Sequence, residues 1–387
     1  MSEVNNRRRS EREYDLVSRG ADLGPGRAEK LEKRLQNDPS DLDSRLLLVG
    51  FYRRYVRGDE GDARREKLAE HLSWMIDNFP ASKAISHVNI HKDGEAYRKV
   101  LKHWSRAVKR NPGDVGVLDN AGKFCKLFSP ELSVRYYKQA QKIDPENDEW
   151  PRCISHTFYV NAHYPERKAD CAAARNAIKY GRQALELHRQ FLQPTYLETY
   201  MEMTVSELSN MSLKFGLLDD AEYFGNYLIG RPNDWRGRRM SKFVRRMLRF
   251  EVHMGHSILG RTAMARGDIQ SAKSCLRKMP ELGNPDWRFD LSLASELLEE
   301  GEGSAVVDYL EACAAQYVKK LEALEKDPAE SREVPALLWM YRDNYDSEMD
   351  MDKYMKLAIK DKLKRLAKWS KAIAAGRKVK LDSFIGP

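Results

Sequence analysis

Four side chains with the chemistry of metal ligands, Cys153, His156, His163 and Cys171, fall within 19 residues of one another. A zinc site needs thiolate and imidazole donors converging on one point, usually as close pairs at fixed spacing. Cys153 and His156 make one such pair, but His163 and Cys171 each stand without a second member, and the order matches no finger spacing. Packing residues are the expectation there. His87 and His91, four apart, share a helix face, yet Val88, Asn89 and Ile90 separate them, and the glutamate of a zinc-protease helix is missing. His253 and His256 flank Met254-Gly255 and are expected to pack against a neighbouring helix. The sequence contains no phosphate loop, dinucleotide glycine fingerprint or nucleophile elbow. It predicts no catalytic residue, no metal ligand and no bound cofactor.

Charge is the other chemistry on offer. The 387 residues carry 67 Lys plus Arg against 58 Asp plus Glu, a net charge of +9. Between Lys353 and Lys380 stand eleven Lys or Arg and one acid, Asp361, so this tail holds the surplus and the remainder is close to neutral. That distribution argues against a cationic coat over the whole folded body. Along residues 236–249, seven Arg or Lys occur without an acid. Arg238, Lys242, Arg245 and Arg249 fall on one helical stripe, opposite Met240, Phe243, Val244, Met247 and Leu248. In the tail, Lys360, Lys364, Lys368 and Lys371 line one face, and Ile359, Leu363, Leu366 and Ile373 another. Such cationic rows suit carboxylates or phosphates. They also suit the solvated side of a packed helix, and the tail reads as a cap, since the end of a helical stack needs a polar outer face.

The elements that must carry these side chains are helices. Apolar residues recur at three and four from Arg27 onward, and few stretches alternate. Pro39, Pro80, Pro112 and Pro145 close successive amphipathic segments at spacings of 41, 32 and 33, a period that signals stacked supersecondary units. After Pro112, Ala121-Gly122 and Cys125 make the small pair and third buried position of a first helix. Ser133, Tyr137 and Ala140 then follow at the small, aromatic, small spacing of a second. Near residue 260 the pattern is sharper: Leu259-Gly260, Ala263, the turn at Gly267-Asp268, then Ala272, Leu276 and Met279. Small residues let two backbones approach while large ones fill the groove to the next hairpin.

These spacings resemble the tetratricopeptide repeat (TPR). Looser copies, including Leu208-Ser209 with Gly216 and Leu293-Ala294 with Gly301, extend the resemblance over about residues 28–315. It implies an all-α fold, a right-handed α-α superhelix of antiparallel helix hairpins, with an irregular helical bundle as the alternative. The expected organisation is a flexible basic N-terminal arm at 1–26, a TPR-like domain at 27–315, and a C-terminal helical extension with a basic capping helix at 316–387.

The resemblance implies a non-enzymatic protein-binding scaffold whose first helices receive a protein or peptide. Asn120 and Lys123 in the Pro112 unit and Arg261 in the sharpest unit are the expected contact positions. The Lys, Asn and Arg set by which some family members hold chaperone tails is not assembled here. The alternative is nucleic-acid or acidic-membrane association through residues 236–249 and 353–380, which is not favoured. No apolar run approaches the roughly 18 residues of a membrane span, and the N-terminus has charge without an apolar stretch. Five cysteines with no CxxC pair suit reduced thiols, so a cytoplasmic location is expected.

Overall fold

A computed structural model describes residues 3–54, 61–86, 88, 90, 94–163, 170–190, 198–234, 242–281, 290–326 and 351–381. Among them are sixteen α-helices and no strand, and no helix is long and apolar enough to cross a membrane. The chain divides into two compact units, residues 1–193 and 194–387.

Unit 1 begins with α1 (Glu3–Gly20), α2 (Pro25–Asn37) and α3 (Leu42–Arg54). The segment expected as a mobile arm is therefore largely helical. Leu16 and Val17 of α1 are buried in one core cluster with Leu46 and Val49 of α3. Two glycines permit the contact: a Cβ at Gly50 would overlap the Val17 carbonyl, and one at Gly20 the Leu47 carbonyl. One short apolar pair behind four arginines gave too little periodicity to show this in the sequence.

Three hairpins follow: α4 (Gly61–Asn78) with α5 (Glu95–Arg110), α6 (Val115–Cys125) with α7 (Pro130–Ile143), and α8 (Glu149–His163) with α9 (Cys171–Gln190). Local signals set their limits. The Asp114 carboxylate accepts the amides of Gly116 and Val117 at 2.9 and 3.1 Å and so starts α6. Pro130 occupies the first turn of α7, where its missing N–H costs nothing. Partners run antiparallel: across α8 and α9, His188 meets Asp148 at 3.1 Å and the Ser155 hydroxyl donates to the Ala177 carbonyl at 2.6 Å. Within α6 and α7, Gly122 lies directly on the buried Tyr137 ring, where a Cβ would come within 2.6 Å of it.

Alternate helices share a layer. Tyr97 of α5 meets Ser129, the residue before α7, at 2.9 Å, while Gln139 of α7 donates to the Pro112 carbonyl just past α5 at 2.8 Å. Lys138 of α7 lies over the Tyr180 ring of α9. The second helices α5, α7 and α9 are thus side by side and parallel. Between the layers, Trp104, Phe124, Tyr137 and Trp150 are buried, each such side chain stabilising the fold by up to about 3 kcal/mol.

Unit 2 comprises α10 (Glu198–Lys214), α11 (Leu218–Asp234), α12 (Lys242–Ala265), α13 (Ile269–Glu281), α14 (Ser292–Glu299), α15 (Gly303–Lys326) and α16 (Met351–Ala374). After α12 the chain turns at Gly267, whose φ of 81° a side chain would resist. Its amide donates to Met264 O and that of Asp268 to Ala263 O, both at 2.9 Å, satisfying the last carbonyls of the helix. Gly216 and Gly301 end α10 and α14 in the same way. The structure has no break at residue 315, because α15 runs through it. Ile359, Leu366 and Ile373 of α16 are buried in one cluster with Tyr309, Leu310 and Tyr317 of α15. In both units, then, consecutive helices pair and alternate helices align: the fold is an all-α helical solenoid.

Candidate functional site

The first helices of neighbouring hairpins in unit 1 bring a polar cluster together. On α6, Asp119 and Lys123 are one turn apart, with Lys126 following the helix end; on α8, Glu149, Cys153 and His156 recur at four and three on one face. Lys123 Nζ lies 2.7 Å from Asp119 Oδ2, Arg152 lies 3.4 Å from Glu149, and Lys126 Nζ donates to His156 Nδ1 at 3.3 Å. Among the described residues no carboxylate pairs with Lys126. Asp119 Oδ1 is buried and has no hydrogen-bond partner.

Burial governs the protonation states. It pushes His156 down to about 4, with Lys126 and Arg152 adding repulsion, so the ring is neutral at pH 7 and can accept from Lys126. Burial also lowers the Lys126 ammonium, and raises the Cys153 thiol to about 11. Lys123 moves the other way: desolvation is the largest single influence and lowers it, but attraction to Asp119 together with Glu149 and Cys153 outweighs it. One ligand atom each from Asp119, Glu149 and Cys153 lie within 4.8 Å of one another, close enough for a divalent cation. The charges oppose one. Lys123 and Arg152 already neutralise the carboxylates, and a protonated thiol must lose its proton to ligate. The set suits a neutral or anionic polar group, with Lys126 as donor.

The expected contact positions divide. Lys123 belongs to this cluster, half-buried on Asp119. Asn120 is not outward-facing: it is 2% exposed, and its amide donates to the carbonyls of Pro80 and Ser82 at 2.8 and 2.9 Å, fastening α6 to the turn after α4. Arg261 is likewise engaged, bonding Glu296 at 2.7 Å and Asn210 at 2.9 Å, so it joins α10, α12 and α14 rather than facing solvent alone. Arg245 and Arg249 of α12 are exposed, as are Lys360, Lys364 and Lys368 of α16. Arg238, His87 and His91 lie outside the described residues, as does the side chain of Lys242.

Of the four residues first considered as metal ligands, only Cys153 and His156 enter the cluster; Cys171 begins α9, and the His163 side chain lies outside the described residues. His253 is wholly buried, its Nε2 accepting the Asp290 amide at 3.3 Å and its Nδ1 lying 3.4 Å from the Met279 carbonyl, a packing role. The sequence reading missed Asp119, Lys126, Glu149 and Arg152. Their one signal was two carboxylates, each four residues before a polar partner, on adjacent first helices. No family model matches the chain, and no curated protein matches it.

Proposed function

We propose that this chain is a TPR-like helical-repeat scaffold, without catalysis of its own, that binds an extended protein segment across α6 and α8. The carrying observation is Lys126 on the first-helix layer, which has no carboxylate partner among the described residues and lies 3.3 Å from the neutral His156 of the neighbouring first helix. Lys126, whose one bond among the described residues is to a neutral imidazole, can serve a carbonyl or carboxylate of a bound segment. Five cysteines without a disulfide support a cytoplasmic setting.

Affinity capture after nuclease treatment tests this, comparing the full chain with Lys126→Glu. Nuclease-resistant protein partners that fall at least about tenfold with Lys126→Glu, a loss of about 1.4 kcal/mol, support the reading. Partners that vanish with nuclease, or that Lys126→Glu leaves unchanged at unaltered thermal stability, defeat it.

A further inference from the structure

Folding sorts the charge of unit 1 by layer. The second helices α5, α7 and α9 together contain thirteen Lys or Arg and three Glu, whereas the first helices α6 and α8 contain two cations and two acids. On α5, Arg98, Lys102 and Lys109 are exposed and Lys99 half-exposed. On α7, Arg135, Lys138 and Lys142 are exposed, and on α9, Arg175 and Lys179. Among the described residues none of these nine has a carboxylate partner; Arg110, by contrast, is paired with Asp77. The three helices are parallel neighbours, so the cations form a field rather than separate stripes. Lys138 and Lys179 converge over the same Tyr180 ring, at 5.6 and 5.8 Å, which bridges α7 and α9.

We infer that this face binds double-stranded nucleic acid through its phosphates. Arg98 and Lys109 stand about 16 Å apart along α5 at 1.5 Å per residue, and side-chain contacts link α5 to α7 and α7 to α9, so the field runs about 16 Å along the helices and across all three. A duplex presents one phosphate charge per about 1.7 Å of axis. Over about 16 Å that is about ten, of which about five face one side.

A protein partner fits this face poorly. Lysine is depleted at the centre of protein interfaces, which are apolar and aromatic, and the exposed large apolar side chain on these helices, Ile143, is the last residue of α7. A membrane finds nothing to insert. Single strands are held on exposed aromatic platforms, but Tyr97, Trp104, Tyr136 and Tyr137 are buried, and Tyr180, half-buried, is stacked on Phe158 and covered by Lys138 and Lys179. What remains is a row-by-row match to the backbone of a duplex, without readout of sequence. This partner is additional to the protein segment placed on the opposite layer, and it does not depend on it.

The test is fluorescence anisotropy of the full chain with 20-base-pair DNA and RNA duplexes, against phosphatidylserine vesicles and polyglutamate. With about five phosphates engaged, affinity falls about 500-fold between 50 and 200 mM KCl. The triple variant Lys102→Glu, Lys138→Glu, Lys179→Glu, one substitution per helix, should bind at least about 100-fold more weakly at 100 mM KCl with a shallower salt slope. Lys360→Glu, Lys364→Glu, Lys368→Glu makes the same change in net charge on α16 and should alter binding less than about threefold. Should charge reversal unfold unit 1, the neutralising set Arg98→Gln, Arg135→Gln, Arg175→Gln replaces it, with a loss of at least about tenfold. Absence of duplex binding at 50 mM KCl overturns the inference. So do equal losses from the two lysine triples, or vesicles or polyglutamate binding as tightly as duplex.

Discussion

Replacing Gly50 with alanine is expected to release α1 from α3. The added methyl would overlap the Val17 carbonyl and sit 3.0 Å from the Gly20 Cα, where carbon atoms are comfortable only at about 3.5–4.0 Å. Both obstacles are helical backbone, which cannot rotate aside like a flexible side chain. Either α1 slides by about an ångström, a strain of about 1–3 kcal/mol, or it leaves. Leaving exposes Leu16 and Val17, now 8% and 5% exposed, at about 1.5–3 kcal/mol each. The ordering entropy regained by the freed helix offsets much of that. The Arg12–Asp43 ion pair, more than half exposed on the arginine side, adds at most about 1 kcal/mol. Strain and docking energy are therefore of the same size, and the undocked state becomes heavily populated.

Hydrogen exchange of the peptide spanning residues 11–20, read by mass spectrometry, reports this directly. In the wild-type chain these amides should be protected. In Gly50→Ala they should exchange at least about tenfold faster, and trypsin should cut at Arg12 and Arg19. Gly113→Ala, where an added Cβ meets nothing within 4 Å, is the control and should leave the peptide unchanged. Unaltered protection in Gly50→Ala would refute the docking reasoning. Wild-type amides exchanging at the rate of an unstructured chain would restore the mobile arm that the sequence suggested.

Asn120→Ala removes both bonds to the turn after α4 and should destabilise unit 1 by about 1–3 kcal/mol in urea melts, without changing the captured partners once the fold is saved by low temperature. Arg231 and Glu251 are 4% and 2% exposed and 3.2 Å apart. Glu251→Ala should cost about 3–5 kcal/mol, whereas Arg231→Met with Glu251→Leu should lie near wild type, because the pair removes its own desolvation cost when both members go. Burial holds His156 and His253 at about 4, against 6.5 in an unfolded chain. The unfolded state thus takes up protons first as the pH falls. Their contribution is complete above pH 6.5 and is lost toward pH 4, about 2 kcal/mol for His253 by pH 4.5. A urea midpoint that does not move between pH 7 and 4.5 would contradict this.

The hairpins were legible because their signals are local. Gly216, Gly267 and Gly301 end helices through a backbone geometry that only a few residues tolerate, and each was readable as a turn from its neighbours alone. The Gly122–Tyr137 contact was readable too, since a missing side chain fifteen residues before an aromatic one is a spacing. Asn120 was misread for a physical reason: one helix position is about 100° of rotation, and the bonds that draw it inward come from carbonyls forty residues away. The cluster of Asp119, Glu149 and Cys153 and the Lys126–His156 bond were hidden in the same manner, because their members meet only where α8 lies against α6.

Charge was misjudged for a different reason. A hairpin repeat places one first helix and one second helix in every window of about one period, so averaging along the chain adds the two layers together. In unit 1 the helices α5, α7 and α9 carry ten more cations than acids while the rest of the unit carries two more acids than cations, and it is the acid excess of residues 194–352 that cancels this surplus in the sum along the chain. Screening reaches about 8–10 Å at physiological salt, roughly the spacing between neighbouring helices, so a ligand on the second-helix face feels that face and little of the acids beyond it. The relevant charge is therefore the charge per layer, and net neutrality along the chain does not argue against a phosphate-binding surface. The proposed protein segment and the proposed duplex occupy opposite layers of unit 1, so neither would cover the other's residues.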